Sequence, residues 1–203
     1  GRFVLAGWTM DYGWGGHLVL RELVQFPDGR LGSKWLPEAV PTTGSAKALD
    51  AIQVGATGKD SFLLSFKVTP KAASQGRVAV DLSGVSGACR FEIDLASNRA
   101  QFAPVKEDGS SEPQKSLREG GHINATRQFA IENLIATDKP FSVRLIVRAD
   151  PKSGGSLVDA EIAGSRTMIG FWSNLSVSAV SFNARDVELT NVTLSPFKGV
   201  GNE

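Results

Sequence analysis

From Phe141 to Arg148 the chain alternates: Phe141, Val143, Leu145 and Val147 fall on one side, and Ser142, Arg144 and Arg148 on the other. A period of two marks a strand with one buried face. Asp150-Pro-Lys-Ser-Gly-Gly155 supplies turn residues. Leu157–Gly164 returns as a second strand, and Thr167–Ile169 opens a third. A hairpin or meander is expected here, with the other strands packed around it. Ala48–Val54, Ser61–Val68, Arg77–Leu82, Ala88–Leu95, Ala100–Val105, Ser176–Phe182 and Val187–Leu194 carry the same texture. Ser61–Val68 is nearly all apolar, which predicts a central strand. Cys89, Phe91, Ile93 and Leu95 are expected on one buried face. Ser97–Arg99 reads as a hairpin turn and Lys106–Glu119 as a long exposed loop. Arg127–Ile135 fits a strand or a short helix.

The first forty residues have a different grain. Phe3–Ala6 reads as a short buried strand, His17–Phe26 as the next, and Pro27-Asp-Gly29 as a turn in which Pro sets φ and Gly accepts positive φ. Arg30–Leu36 is extended again and ends at Pro37-Glu-Ala-Val-Pro41. Thr42–Ala46 reads as a linker. Composition therefore divides the chain into residues 1–41, a short β segment, and residues 42–203, a larger domain. No long 3.6-residue periodicity appears. Short strands about 8–12 residues apart, with turn residues between, predict an all-β fold, an antiparallel β-sandwich. No internal repeat of propeller or solenoid kind stands out.

Composition narrows the partners. The 203 residues suffice for one large β domain, or one domain plus a small piece of another. A net charge of +1 without long blocks of either sign argues against nucleic acid and against an anionic membrane. No apolar run approaches the roughly 20 residues of a membrane span. Cys89 is the only cysteine, so no internal disulfide can form, and its apolar strand context reads as a small core residue. The chain starts in Arg2-Phe-Val-Leu-Ala6, which reads as mid-domain sequence. It is expected to be part of a longer protein whose targeting it does not disclose.

Candidate chemistry is sparse. The two histidines, His17 and His122, lie far apart without a Cys or His neighbour, so zinc-ligand spacing is absent and no cofactor is expected. Asp150 with Asp159 could hold calcium at a sandwich edge, although turn and strand-end aspartates are ordinarily just solvated. There is no Gly-x-Ser-x-Gly elbow. Gly13-Trp-Gly-Gly16 lacks the Lys-Ser/Thr and helix of a phosphate loop. Asp11, Glu22, Asp28 and Glu38 are close in sequence, and paired carboxylates are the chemistry of glycoside hydrolysis. Asp28 belongs to a turn, however, and Glu22 is expected to pair with a basic neighbour, so no catalytic residue is assigned.

Aromatic platforms are the better signal. Trp8, Tyr12 and Trp14 cluster in a Gly-rich stretch, and Trp172 sits in Gly170-Phe-Trp-Ser-Asn174. Aromatic faces stack on the apolar faces of sugar rings while Asn, Asp and His supply hydrogen bonds. The candidate carbohydrate-binding residues are Trp14, Tyr12, Asp11, Trp172 and Asn174. Trp8 and Trp35 read more readily as core or interface residues. Sequons occur at Asn124, Asn174 and Asn191.

Gly1-Arg-Phe-Val-Leu-Ala-Gly-Trp8, Gly13-Trp-Gly-Gly16, Leu18-Val-Leu-Arg-Glu-Leu23, Asp28-Gly-Arg-Leu31 and Glu38 together resemble a segment of glycoside hydrolase family 32, the invertases, levanases and inulinases. In that family such a segment closes the last blade of a five-bladed catalytic propeller and leads into a C-terminal concanavalin-like sandwich. Residues 45–197 look like that sandwich, with the jelly-roll topology the resemblance implies. The family's catalytic motifs are Asn-Asp-Pro, Arg-Asp-Pro and Glu-Cys. None is here: Arg185-Asp186 is followed by Val187, and Cys89 is preceded by Ala88. The resemblance thus implies a non-catalytic domain that stabilises an upstream propeller and contacts a poly- or oligosaccharide, fructan first. It also implies a bacterial parent that is secreted, periplasmic or at the cell surface. Two alternatives stand beside it. One is an independent lectin-like module. The other is a sandwich glucanase using Glu-x-Asp-x-x-Glu, of which Phe91-Glu-Ile-Asp-Leu95 has the first two carboxylates, while Asn98 falls one place beyond the third.

Overall fold

Alternation of apolar and polar side chains gives strands throughout. The computed structural model describes residues 1–9, 16–49, 55–56, 61–71, 75–111, 118–119, 122–123, 128–131, 138–173 and 175–198. The strands begin with β1 (Val4–Trp8), β2 (Leu18–Gln25), β3 (Leu31–Trp35), β4 (Lys47–Ala48), β5 (Gly55–Ala56), β6 (Phe62–Pro70), β7 (Arg77–Gly84), β8 (Gly87–Asp94) and β9 (Arg99–Val105). They continue with β10 (Arg118–Glu119), β11 (His122–Ile123), β12 (Gln128–Ala130), β13 (Phe141–Asp150), β14 (Gly155–Ile162), β15 (Arg166–Trp172), β16 (Ala179–Arg185) and β17 (Val187–Pro196). Arg127–Ile135, open between strand and helix in the sequence, contains a strand, β12.

Two six-stranded antiparallel sheets, ordered β15-β14-β13-β6-β17-β4 and β12-β9-β8-β7-β16-β5, face each other. The expected central strand, β6, lies between β13 and β17. The apolar parity of each strand meets in one core. Phe62, Leu64 and Phe66 of β6 and Phe141, Val143, Leu145 and Val147 of β13 pack there with Val80 and Leu82 of β7, Cys89, Phe91 and Ile93 of β8, and Phe102 of β9. Burying each large apolar side chain contributes about 1.5–3 kcal/mol. The chain is thus an all-β antiparallel sandwich, as the alternation predicts.

A separate three-stranded sheet, β1-β2-β3, lies against one sandwich sheet. Its outermost strand, β1, pairs with β2, and no second partner is present among the described residues. Phe3–Ala6 is therefore not the buried strand that its composition suggests: Phe3 is 75% exposed, with Val4 and Leu5 about half exposed. Trp8, 64% exposed, is not a core residue either. At the other edge, β3 approaches the β14–β15 turn closely. A Cβ on Gly32 would sit 2.3 Å from the Ser165 carbonyl oxygen, and the Ser33 N–H donates to that oxygen at 2.8 Å. Only glycine fits there.

Thr42–Ala46 reads as a linker but is tied down. Thr43 bridges Phe197, the Gly44 N–H donates to the Pro196 carbonyl, and the Lys198 N–H to the Thr42 carbonyl. Ser176–Ser178 is not strand, since β16 starts at Ala179. Leu175 and Val177 instead turn into the core. Of the expected Ala48–Val54 strand, residues 50–54 lie outside the described residues, as do 112–117 of the expected exposed loop.

Candidate functional site

The junction between the small sheet and the sandwich buries two carboxylates side by side. Along β14, Val158, Ala160 and Ile162 enter the core, so Asp159 and Glu161 point to the outer face. The small sheet covers that face, leaving Asp159 7% and Glu161 5% exposed. Both are fully engaged. Arg21 Nη2 donates to the two Asp159 carboxylate oxygens, each at 2.7 Å, and the Trp35 indole N–H donates to Oδ1 at 3.0 Å. The Trp35 backbone N–H donates to Glu161 Oε2 at 2.6 Å, and Arg144 donates to Oε1. The Arg144 guanidinium also lies 4.8 Å from the centroid of the Trp35 ring, a cation–π contact. Ser33 and Thr167 share a hydroxyl hydrogen bond of 2.7 Å alongside. Two carboxylates and two guanidiniums thus surround one buried tryptophan.

This arrangement replaces the calcium reading of Asp159. Its oxygens face a guanidinium and an indole, not an open edge. Asp150 pairs with Gly155 at the start of β14, four residues before Asp159, and its carboxylate accepts from Lys152 N and Ser153 Oγ of its own turn. The two aspartates do not converge.

Burial pushes the Asp159 carboxyl up from 3.8 to about 6, against the pull of Arg21 and Trp35. A folded-state value above the unfolded one favours folding when the group is protonated. That share of stability is fully present below about pH 4 and is lost as pH rises through about 6. A shift of this size corresponds to roughly 3 kcal/mol. Denaturant unfolding measured between pH 4 and 7 is expected to show this slope, and Asp159→Asn is expected to flatten it. An unchanged slope in the variant would assign the dependence to another group.

Among the described residues, the acids of the first forty positions, Glu22, Asp28 and Glu38, are also held structurally. Arg2 bridges Glu22 and Glu38, with Nη1 donating to Glu38 Oε1 at 2.7 Å and Nε to Glu22 Oε2 at 3.1 Å. Lys34 adds a second cation to Glu22 at 3.1 Å. The hydrogen bond from Arg2 holds Glu38 down at about 2, so it stays ionised and is unsuited to donate a proton. Asp28 is paired with Arg30 across its turn. In the glucanase-like strand, Glu92 is buried against Arg77 and Gln101, and Asp94 Oδ1 accepts from the N–H groups of Ala96 and Ser97. These carboxylates serve pairing and capping.

Of the carbohydrate candidates, Asp11, Tyr12, Trp14 and Asn174 lie outside the described residues. The base of the aromatic stretch is defined. The Thr9 N–H donates to the His17 carbonyl at 3.0 Å, and the His17 N–H to Thr9 Oγ1 at 2.9 Å. The His17 ring packs 5.7 Å from that of Phe171, on the sandwich. Gly16 and His17 border a cleft of about 350 Å³ with Asp150, Lys152 and Ser153. Trp172, one residue beyond Phe171, has the opposite parity. It shares the inner side with Gly170, packs against the core, and lines a different cleft of about 240 Å³ at one end of the sandwich. His17 and Trp172 therefore meet opposite faces of β15.

Sequence reasoning placed Trp35 in a core or interface, as found, but missed the two buried acids that hold it. The available signal was acids at Asp159 and Glu161 alternating with core residues, which alone is the mark of a solvated outer face. Nothing local to β14 announces that another sheet covers it.

The fold has counterparts among solved structures. Sucrose-6-phosphate hydrolase from Lactobacillus gasseri aligns over 97% of this chain with a TM-score of 0.57 and 14% identity. Exo-inulinase from Aspergillus awamori aligns over 96%, with a TM-score of 0.55 and 11% identity. A family 32 β-fructofuranosidase of Bombyx mori aligns over 97%, with a TM-score of 0.53 and 14% identity. The chain has the fold of part of these enzymes. That part is 37–40% of their length. At 96–97% coverage the fold likeness spans both the small sheet and the sandwich. No family model matches the sequence, and no curated protein matches it.

Proposed function

We propose that this chain is the non-catalytic β-sandwich part of a family 32-like glycoside hydrolase, with residues 1–41 docking a catalytic propeller and residues 42–203 forming the sandwich. The observation that carries the reading is the small sheet's outer side. Val4, Trp8 and Leu18 are exposed there, Leu18 at 71%, and Phe3 and Leu5 are exposed on the other face of a strand pair whose outer edge faces no other strand among the described residues. Apolar side chains grouped along an open strand edge fit a further β element. Fold likeness over nearly the whole chain but about two fifths of each enzyme supports the same arrangement. The acids described above are bound to arginines or turn backbones, which fits a supporting role. The reading extends to a secreted, periplasmic or surface-bound bacterial parent, and to fructan as the first saccharide to test.

The test is co-expression of this chain with the segment that precedes it in its parent gene. Co-purification of the two as a stoichiometric pair is expected. The double variant Trp8→Lys/Leu18→Glu is expected to abolish it while leaving the chain's unfolding midpoint nearly unchanged, because both side chains are exposed and the two new charges, opposite in sign, face each other across the strands. A pair that survives the double variant, or a parent gene with no propeller segment, overturns the proposal.

A lectin-like role is favoured by one observation, the half-buried Trp172 walling a cleft at the end of the sandwich.

A further inference from the structure

We infer that the Trp172 cleft is a subsite for one neutral sugar ring. The inference deepens the carbohydrate part of the reading above and does not depend on propeller docking.

Three segments form its walls: the β7–β8 hairpin at Ser86, the end of β9 at Pro104 and Val105, and the end of β15 at Trp172 and Ser173. They are tied to one another. The Ser178 N–H donates to the Ser83 carbonyl, and a Cβ on Gly84 would sit 2.0 Å from the Ser176 carbonyl oxygen. Ser156 Oγ donates to the Leu175 carbonyl at 2.6 Å, and the Leu175 N–H donates to that of Trp172. The indole itself is held. Its nitrogen is buried above Gly170, where a Cβ would meet it at 3.4 Å and Phe102 at the same distance. A ligand entering this cleft meets walls already in place, so little side-chain ordering is lost on binding.

The chemistry of the walls selects the ligand. One rigid aromatic surface stands beside serine hydroxyls, and among the described residues no charged side chain lines the cleft. An amphipathic ring with an apolar C–H face and a hydroxyl rim matches that mixture. A phosphorylated or acidic sugar would carry its charge into a cleft whose described walls offer no counter-charge. About 240 Å³ admits a single ring, and the open mouth lets a longer chain run out into solvent.

The experiment uses the intact chain with its four tryptophans replaced biosynthetically by 5-fluorotryptophan. Fluorine NMR follows each indole, with Trp172→Phe assigning the resonance. Titration with inulin and levan oligosaccharides, β-glucan oligosaccharides and a sugar phosphate is expected to shift the Trp172 signal saturably with at least one neutral saccharide and not with the phosphate. Trp172→Ala is expected to weaken that binding about tenfold, the order of one lost aromatic contact. If that variant does not fold, the labelled wild-type resonance still decides. A saturable shift at another tryptophan, with Trp172 silent, overturns the subsite but leaves carbohydrate binding standing. A Trp172 response to the sugar phosphate alone overturns the neutral-ligand assignment. Silence at every tryptophan, with no heat of binding by calorimetry, overturns both.

Discussion

Trp35→Ala is expected to cost about 3–5 kcal/mol of unfolding free energy, the range of large aromatic truncations in a well-packed site. Trp35 is only 3% exposed and ties the small sheet to the sandwich through Asp159 and Glu161. Removing it opens a cavity and also withdraws the indole donor from Asp159. The backbone donor to Glu161 loses the side chain that fixes its position, and Arg144 loses the ring beneath it. Urea unfolding at neutral pH measures the effect. Trp8→Ala is the control, since an exposed side chain is expected to change stability by about 0.5 kcal/mol or less. A loss below about 1 kcal/mol for Trp35→Ala would mean that the socket collapses around the gap. The small sheet would then be held by its main-chain contacts alone.

Arg21→Ala is expected to have a comparable effect by a different route. Arg21 and Asp159 side chains are 12% and 10% exposed, and both carboxylate oxygens are bound by one guanidinium nitrogen. Deleting one member of a buried pair leaves the other charge without compensation, at about 3–5 kcal/mol. The penalty is expected to shrink in mild acid, where the orphaned carboxyl can protonate. The double variant Arg21→Leu/Asp159→Leu is expected to be more stable than Arg21→Ala, because it removes both desolvation penalties. A double-mutant cycle at pH 5 and pH 8 measures the coupling. Additive effects at both values would show that the pair contributes no net interaction.

The two experiments also bear on the boundary at residues 41/42. If Trp35 and Arg21 anchor the small sheet this strongly, a chain beginning at residue 42 would bare Asp159, Glu161 and the adjoining apolar face to water. The compositional break is then a change of architecture within one cooperative unit.

Much of the sandwich was legible because strand alternation is local. Phe141–Arg148 and Ala88–Leu95 state their inner and outer faces in their own side chains, and a period of two cannot be satisfied by a helix. The turns at Pro27–Gly29 and Asp150–Gly154 were legible for the same reason, with Gly29 and Gly154 at positive φ. Cys89 was readable as core from its neighbours.

Trp35 was legible as a core or interface residue and Glu22 as one arm of an ion pair, but which outer faces a distant segment covers or leaves bare was not. Phe3–Ala6 is apolar, yet no other part of the described chain covers it. Asp159 and Glu161 are acidic, yet they are buried, because β2 and β3 lie over them. The sequence by itself therefore determined the strands, their turns, the inner face of the sandwich and the absence of a local catalytic motif. Only the tertiary structure decided which outer faces are exposed, that Trp35 rather than Trp8 is the anchor, and that His17 and Trp172 sit on opposite sides of β15. Strand periodicity is set within a few residues, whereas burial and ion pairing on an outer face are set by residues more than a hundred positions away, as between Arg21 and Asp159.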